Sequence, residues 1–267
     1  MKRSVLLLWV VPLWFASAPA IAGDVYNFTY ERRGGLVENV KKGRVLTEGS
    51  AYRVELKADD DSRRSYDVLI AQGAGAPETG LVLADRTYHE PKVDLEQPSS
   101  PLFWIVPVRK GEKTAKKVDF DVQAPAAETL SGLPVQRHEI RLSYDASVKL
   151  MGTPVHGKVR MTAVFWMHEG KALPLPRMLR PEIRTGFPEI DGRLTEELAK
   201  LQGIPLKQRI EVHADVEDGI AQTDTVTTEI SGLATAKTTP DLFAIPQGFK
   251  FEEPVFVGPG MSSPGFN

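Results

Sequence analysis

The stretch RHEIRLSYDASVKLMGTPVHGKVRMTAVFWM, residues 137–167, decides the fold. From Ile140 onward, Leu142, Tyr144, Ala146, Val148 and Leu150 alternate with Arg141, Ser143, Asp145, Ser147 and Lys149. An apolar/polar period of two belongs to a strand with one buried face. Met151-Gly152-Thr153-Pro154 has turn chemistry. Alternation then resumes with Val155, Val159, Met161, Ala163, Phe165 and Met167 against His156, Lys158, Arg160, Thr162 and Trp166. The pattern predicts a long antiparallel hairpin. With Leu150 opposite Val155, Tyr144 faces Met161, Leu142 faces Ala163 and Ile140 faces Phe165, while Asp145 meets Arg160 on the other side. A slip of one residue would turn every apolar set to the wrong face, so the parity is strongly specified.

Other segments repeat the signal. Residues 25–32 put Tyr26, Phe28 and Tyr30 on one face, an aromatic stripe for a core or cavity. Residues 40–47 and 52–57 read as strands around Gly49-Ser50. Residues 66–71 form another, and residues 81–84 running into Thr87-Tyr88 a further one. Leu102-Phe103-Trp104-Ile105-Val106 reads as a buried strand or a cavity wall, and residues 118–122 alternate again. A second hairpin follows, with Ile210, Val212, Ala214 and Val216 inward, a turn at Asp218-Gly219 and a return over residues 220–230. Gly132-Leu133-Pro134 and Gly203-Ile204-Pro205 introduce the two hairpins with shared turn chemistry. The sequence predicts one helix, over about residues 191–202, with Leu194, Leu198 and Leu201 at i, i+4, i+7 and Gly203 as its stop. Residues 91–101 read as a surface loop, and residues 174–188, with four prolines, as an ordered loop over the mouth or rim, with the folding of both into the interior as the alternative.

The chain opens with Lys2 and Arg3, an apolar run over residues 5–15 and a small-residue end at Ala20-Ile21-Ala22, the pattern of a secretory signal peptide. Residues 1–22 are therefore expected to be removed, leaving a single β-rich domain over 23–257 and a disordered tail over 258–267. The expected compartment is the periplasm or the extracellular space. The apolar run falls short of the roughly 20 residues of a membrane span, and no later segment reaches that length. The absence of cysteine excludes disulfides, thiol nucleophiles, cysteine metal sites and lipid attachment through cysteine. A net charge of −2 argues against a nucleic-acid or anionic-membrane partner.

Asp85 with Thr87-Tyr88, Gly132-Leu133-Pro134, the strand bearing Phe165-Trp166, the helix before Gly203-Ile204-Pro205-Leu206, and the closing Leu242-Phe243-Ala244-Ile245-Pro246-Gln247-Gly248-Phe249 occur in that order. Together they resemble a group of exported bacterial proteins related in shape to the Lol-type lipoprotein carriers. The resemblance implies a strongly curved antiparallel sheet, an open half-barrel, with one or two helices against its concave face. It differs from those carriers at residues 32–42, where they have an early helix and this chain has a glycine-containing turn and a charged strand.

No G-x-S-x-G elbow, H-E-x-x-H or glycine-rich phosphate loop is present. Asp59-Asp60-Asp61 lacks the spacing of a calcium loop. His156, His168 and His213 are expected to scatter outward, and His138 inward as a core residue, so neither a metal nor a cofactor is expected. Trp166 is expected on the outward face, packed beneath the helix or a loop. The expected site is an apolar cavity lined by Tyr26, Phe28, Tyr30 and Trp104, the hairpin residues Ile140, Leu142, Tyr144, Met161 and Phe165, the strand residues Ile210 and Val212, and Leu194 and Leu198 of the helix. Two functions follow. One is a periplasmic carrier for a lipid, lipoprotein or other apolar ligand, and the other is a non-catalytic cell-envelope scaffold with a filled interior and residues 177–184 as partner surface.

Overall fold

A computed structural model describes residues 21–34, 38–57, 66–91, 113–150, 153–217 and 220–253. Trp104 and its apolar run, Asp59-Asp60-Asp61, the turn at Asp218-Gly219, most of the loop over 91–101, residues 1–20 of the expected leader and the expected tail lie outside them.

Among the described residues thirteen strands form one open sheet, antiparallel but for its last pair. They are β1 (Ile21–Gly34), β2 (Asn39–Glu48), β3 (Ala51–Leu56), β4 (Val68–Ala71), β5 (Thr79–Val82), β6 (Thr87–His89), β7 (Lys113–Val122), β8 (Ala126–Leu130), β9 (Leu133–Leu150), β10 (Thr153–His168), β11 (Ile204–Val216), β12 (Ile220–Thr238) and β13 (Lys250–Phe251). The order is β13-β6-β5-β4-β3-β2-β1-β12-β11-β10-β9-β7, and β8 continues the β7 edge along β9. The one helix among the described residues, α1 (Pro188–Leu198), lies against the concave face. The architecture is a strongly curved, open half-barrel.

The decisive hairpin keeps its parity and changes its register. Strand β9 runs to Leu150 and β10 starts at Thr153, so Leu150 pairs with Thr153, Tyr144 with Val159, Leu142 with Met161, Ile140 with Ala163, and His138 with Phe165. A four-residue loop would have moved each partner by two positions, which leaves faces unchanged because the side-chain period is two. The charges re-pair accordingly. Asp145 lies opposite Lys158 and bonds Lys117 at 2.8 Å, while Arg160 reaches Asp215 on β11 at 2.7 Å.

Other boundaries move for local reasons. The segment expected to run through Thr87 is two strands, β5 and β6, folded back at a turn that holds Arg86 at φ 53. The helix begins three residues early. The Asp191 carboxylate accepts from the backbone of Thr185 (2.6 Å) and Gly186 (3.0 Å) and from the Thr185 hydroxyl (2.8 Å), and Pro188 occupies the first turn. Proline is favoured there because its missing N–H would have no partner in any case. Both β9 and β11 start just after a glycine with positive φ, Gly132 at 82° and Gly203 at 93°, as the shared turn chemistry implies.

Burial follows the pleat. Residues on the concave face gather into two clusters, one under β9, β10, β11 and α1 and one under β1 to β4 and β12. Strand β4 is buried throughout because it has cover on both sides. Leu69 and Ala71 join the concave cluster, whereas Val68 and Ile70 are covered from the convex side by Ile245 and Phe249 of the closing motif. Close approach fixes Gly43: an added Cβ would sit 2.7 Å from the Phe28 ring and 2.5 Å from the Glu55 carbonyl oxygen.

Candidate functional site

The concave face carries the expected set. Tyr26, Phe28, Tyr30, Ile140, Leu142, Tyr144, Met161, Phe165, Ile210, Val212 and Leu194 are all buried, and Leu198 is partly buried against them. The geometry divides them: the aromatic stripe of β1 belongs to one cluster, and the hairpin, β11 and helix residues to the other. On this face Gln208 and Thr228 are buried polar side chains.

The face is filled by the chain itself. Residues 174–188 run inside the half-barrel rather than over its rim. Leu179, Ile183 and Phe187 are each at most 3% exposed, and Phe187 meets Tyr144 edge-to-face at 5.4 Å. Each such side chain contributes about 1.5–3 kcal/mol through burial. A buried loop must also satisfy its backbone, and side chains on and beside the sheet take part. Tyr26 donates to the Pro174 carbonyl (3.2 Å) and Gln208 to the Leu179 carbonyl (3.2 Å), while Glu78 accepts from the Arg177 N–H (2.8 Å). Glu78 also accepts from the Tyr52 hydroxyl. Burial, reinforced by Glu78, pushes the Tyr52 phenol well above its usual range, and burial does the same to Tyr26. Both phenols therefore remain donors at physiological pH.

Beneath this plug, the space between Tyr144, Met161, Val212 and Ile183 is about 10 Å³, room for no more than one water. Two larger depressions lie outside the core. One of about 530 Å³ runs between residues 181–184 and α1, and one of about 560 Å³ lies at the far end of β7, β9, β10 and β11 among Lys116, Asp145, Lys158 and Asp215.

A buried ion pair also sits at the inward parity. Arg32 donates to both oxygens of Asp224, through Nε at 3.2 Å, and both side chains are at most 4% exposed. Arg32 continues the Tyr26, Phe28, Tyr30 alternation and Asp224 the Val226, Thr228, Ile230 alternation, so parity alone marks two opposite charges facing the core. The plug carried a weaker signal, the spacing of four between Leu179, Ile183 and Phe187 amid prolines.

The remaining expected residues are dispersed. His138 faces inward in mid-strand, half-buried, because β9 starts at Leu133. His168 contacts the Pro134 carbonyl through Nδ1 at 2.8 Å, and His213 sits between Thr223 (2.9 Å) and Asp215 (2.8 Å). Among the described residues no three His, Asp or Glu side chains are grouped to hold a metal. Trp166 packs outward under β8 rather than under the helix. Its Nε1 donates to Glu128 (2.8 Å), with Arg137 and Lys207 over the ring at 5.9 and 5.8 Å.

Fold and interior together define an open β half-barrel plugged by its own chain, and no helix among the described residues is long and apolar enough to cross a membrane. No family model and no curated protein matches the chain. Among solved structures it is similar to PNGF-II in a C2 crystal form, at 11% identity and a TM-score of 0.32, over 86% of this chain and 31% of that one. The chain thus spans about a third of that protein, and a likeness so slight carries no argument about function.

Proposed function

We propose that this is a non-catalytic interaction or scaffold protein of the cell envelope, with residues 177–184 as its partner surface. The plug supports this reading: where it covers Tyr144, Met161 and Val212 the space left is about 10 Å³, far below the roughly 300 Å³ at which ligand pockets begin. The plug keeps its apolar side chains inside and turns Arg180 and Arg184 outward, with Arg184 bonded to Glu182 at 2.7 Å. Placement in the envelope rests on the charged start and short apolar run of residues 1–22.

A carrier for a lipid, lipoprotein or other apolar ligand is the second reading. One observation favours it: residues 174–188 pair with no strand among the described residues, and the bonds that tie them to the sheet and to Glu78 beside it run through single side chains. Displacing that segment would bare Ile140, Leu142 and Phe165. The resemblance to Lol-type carriers supports the same reading.

Native mass spectrometry of protein taken directly from its host, with solvent extraction, separates the two. A clean apo mass and no response to fluorescent fatty-acid probes is expected. Co-purifying lipid that disappears in Leu142→Arg, in a variant still folded by circular dichroism, overturns the scaffold reading in favour of the carrier.

A further inference from the structure

We infer that β7 pairs antiparallel with β7 of a second copy of this chain, about a two-fold axis near Lys117 and Val118, and so extends the sheet across a homodimer. Strand β7 ends the strand path, with β9 as its one neighbour among the described residues. Its charges are segregated by sign: Lys113, Lys116 and Lys117 occupy the first half, Asp119 and Asp121 the second. Lysines and a bulge are also the ordinary means of protecting an edge from association. Protection alone, however, does not require acidic residues gathered in the other half, whereas an isologous antiparallel pairing uses that arrangement directly.

The faces agree as well. Against β9, Lys116 lies opposite Asp145 and Asp119 opposite Ser143, both on the convex side, while Ala115 lies opposite Ala146 and Phe120 opposite Leu142 on the concave side. Pairing Lys116 with Asp119 of the second copy sets Thr114 against Asp121, Ala115 against Phe120 and Lys113 against Val122. Convex residues then meet convex and concave meet concave. The bulge between Lys116 and Asp119 falls on the dyad, so both copies carry it at the same place and remain in phase. A shift by one residue sets Lys116 against Phe120, and a parallel pairing sets lysine against lysine. Val122, 45% exposed in the single chain, gains cover from the Lys113 stem.

Two ten-residue edges bury less than the roughly 1,200 Å² of a standard interface, which predicts a concentration-dependent dimer. The test is sedimentation velocity of the mature chain over about 1–500 μM. Lys116→Glu and Asp119→Lys should each weaken dimerisation about tenfold, since each contact occurs twice and turns repulsive. K116E/D119K should return to within about threefold of the parent. Both residues are exposed, and circular dichroism confirms folding. Because the chain contains no cysteine, register is tested by mixing Lys116→Cys with Asp119→Cys chains under mild oxidation. More disulfide dimer should form in the mixture than in either variant alone. A monomer at every concentration, or a dimer indifferent to both charge reversals, overturns the inference.

Discussion

Gln208 on β11 donates through Nε2 to the carbonyl oxygen of Leu179, 3.2 Å away, so that a strand on the floor of the half-barrel holds the backbone of the segment that fills it. The Oε1 of the same amide has no hydrogen-bond partner, which makes the bond to Leu179 the main polar role of this side chain. Gln208→Ala removes the donor and leaves the buried carbonyl unsatisfied, a loss of about 1–3 kcal/mol. Urea midpoints measure it, and a midpoint unchanged from the parent means that the plug is held by its apolar side chains alone.

The hairpin faces are tested by neighbours in sequence. Tyr144 is 1% exposed and packed on Phe187, whereas Ser143 lies on the convex side opposite Arg160. Tyr144→Asp is expected to destabilise by several kcal/mol and Ser143→Asp to change little. Equal denaturant midpoints would contradict the assignment of faces.

Arg32 and Asp224 make a third test. Removing one partner of a buried pair strands the other charge, at a cost of about 3–5 kcal/mol, whereas replacing both by apolar groups is often tolerated. Arg32→Met and Asp224→Leu should therefore each lower the thermal midpoint more than the double variant does. A double variant as unstable as the worse single one would mean that the charges do more than satisfy each other.

Two histidines set an acid limit. Burial pushes the imidazole of His89 below its ordinary range, with Glu252 opposing the shift, and burial does the same to His138. The folded values lie below the unfolded value of about 6.5, so the unfolded chain binds more protons as the pH falls. Stability is fully present above about pH 6.5 and is lost as the pH drops through the folded values. Thermal midpoints from pH 7.5 to 5 should fall in the parent and fall less in His89→Gln/His138→Gln. Parallel curves would refute the assignment.

Export is expected to remove residues 1–22. Ile21 and Ala22 pair with Thr238 and Lys237 at the end of β1, and Gly23 to Gly34 retain their partners without them. Cleavage after Ala22 thus removes two rungs, and the processed chain should fold unchanged. The mass of protein isolated from the periplasm decides this, and a mass that includes residues 1–22 contradicts it.

The legible part of the fold was its parity. Alternation in β1, β9, β10 and β11 placed Tyr26, Leu142, Met161 and Val212 on the buried side, and each is buried. Register was not legible, because two-residue and four-residue connections after Leu150 give the same faces. The start of α1 was hidden because no side chain caps it; Asp191, inside the helix, instead ties down the backbone of Thr185 and Gly186 ahead of it. The plug was hidden for a related reason. Its four prolines rule out a regular helix or strand, so the spacing of four between Leu179, Ile183 and Phe187 reads as a loop until the sheet curves around it.

The pairing of β1 with β12 has a kinetic side. Tyr30 lies opposite Thr228, so the first strand waits for a partner roughly 200 residues downstream. At about 5–20 residues per second of synthesis, one edge of β1 stays open for roughly 10–40 s, with Phe28 and Tyr30 uncovered on that side. Contacts so distant in sequence also slow folding itself, since the loop must close before any pairing rewards it. The sheet therefore cannot join β1 to β12 until the last third of the chain has emerged, and until then that edge of β1 is open to association.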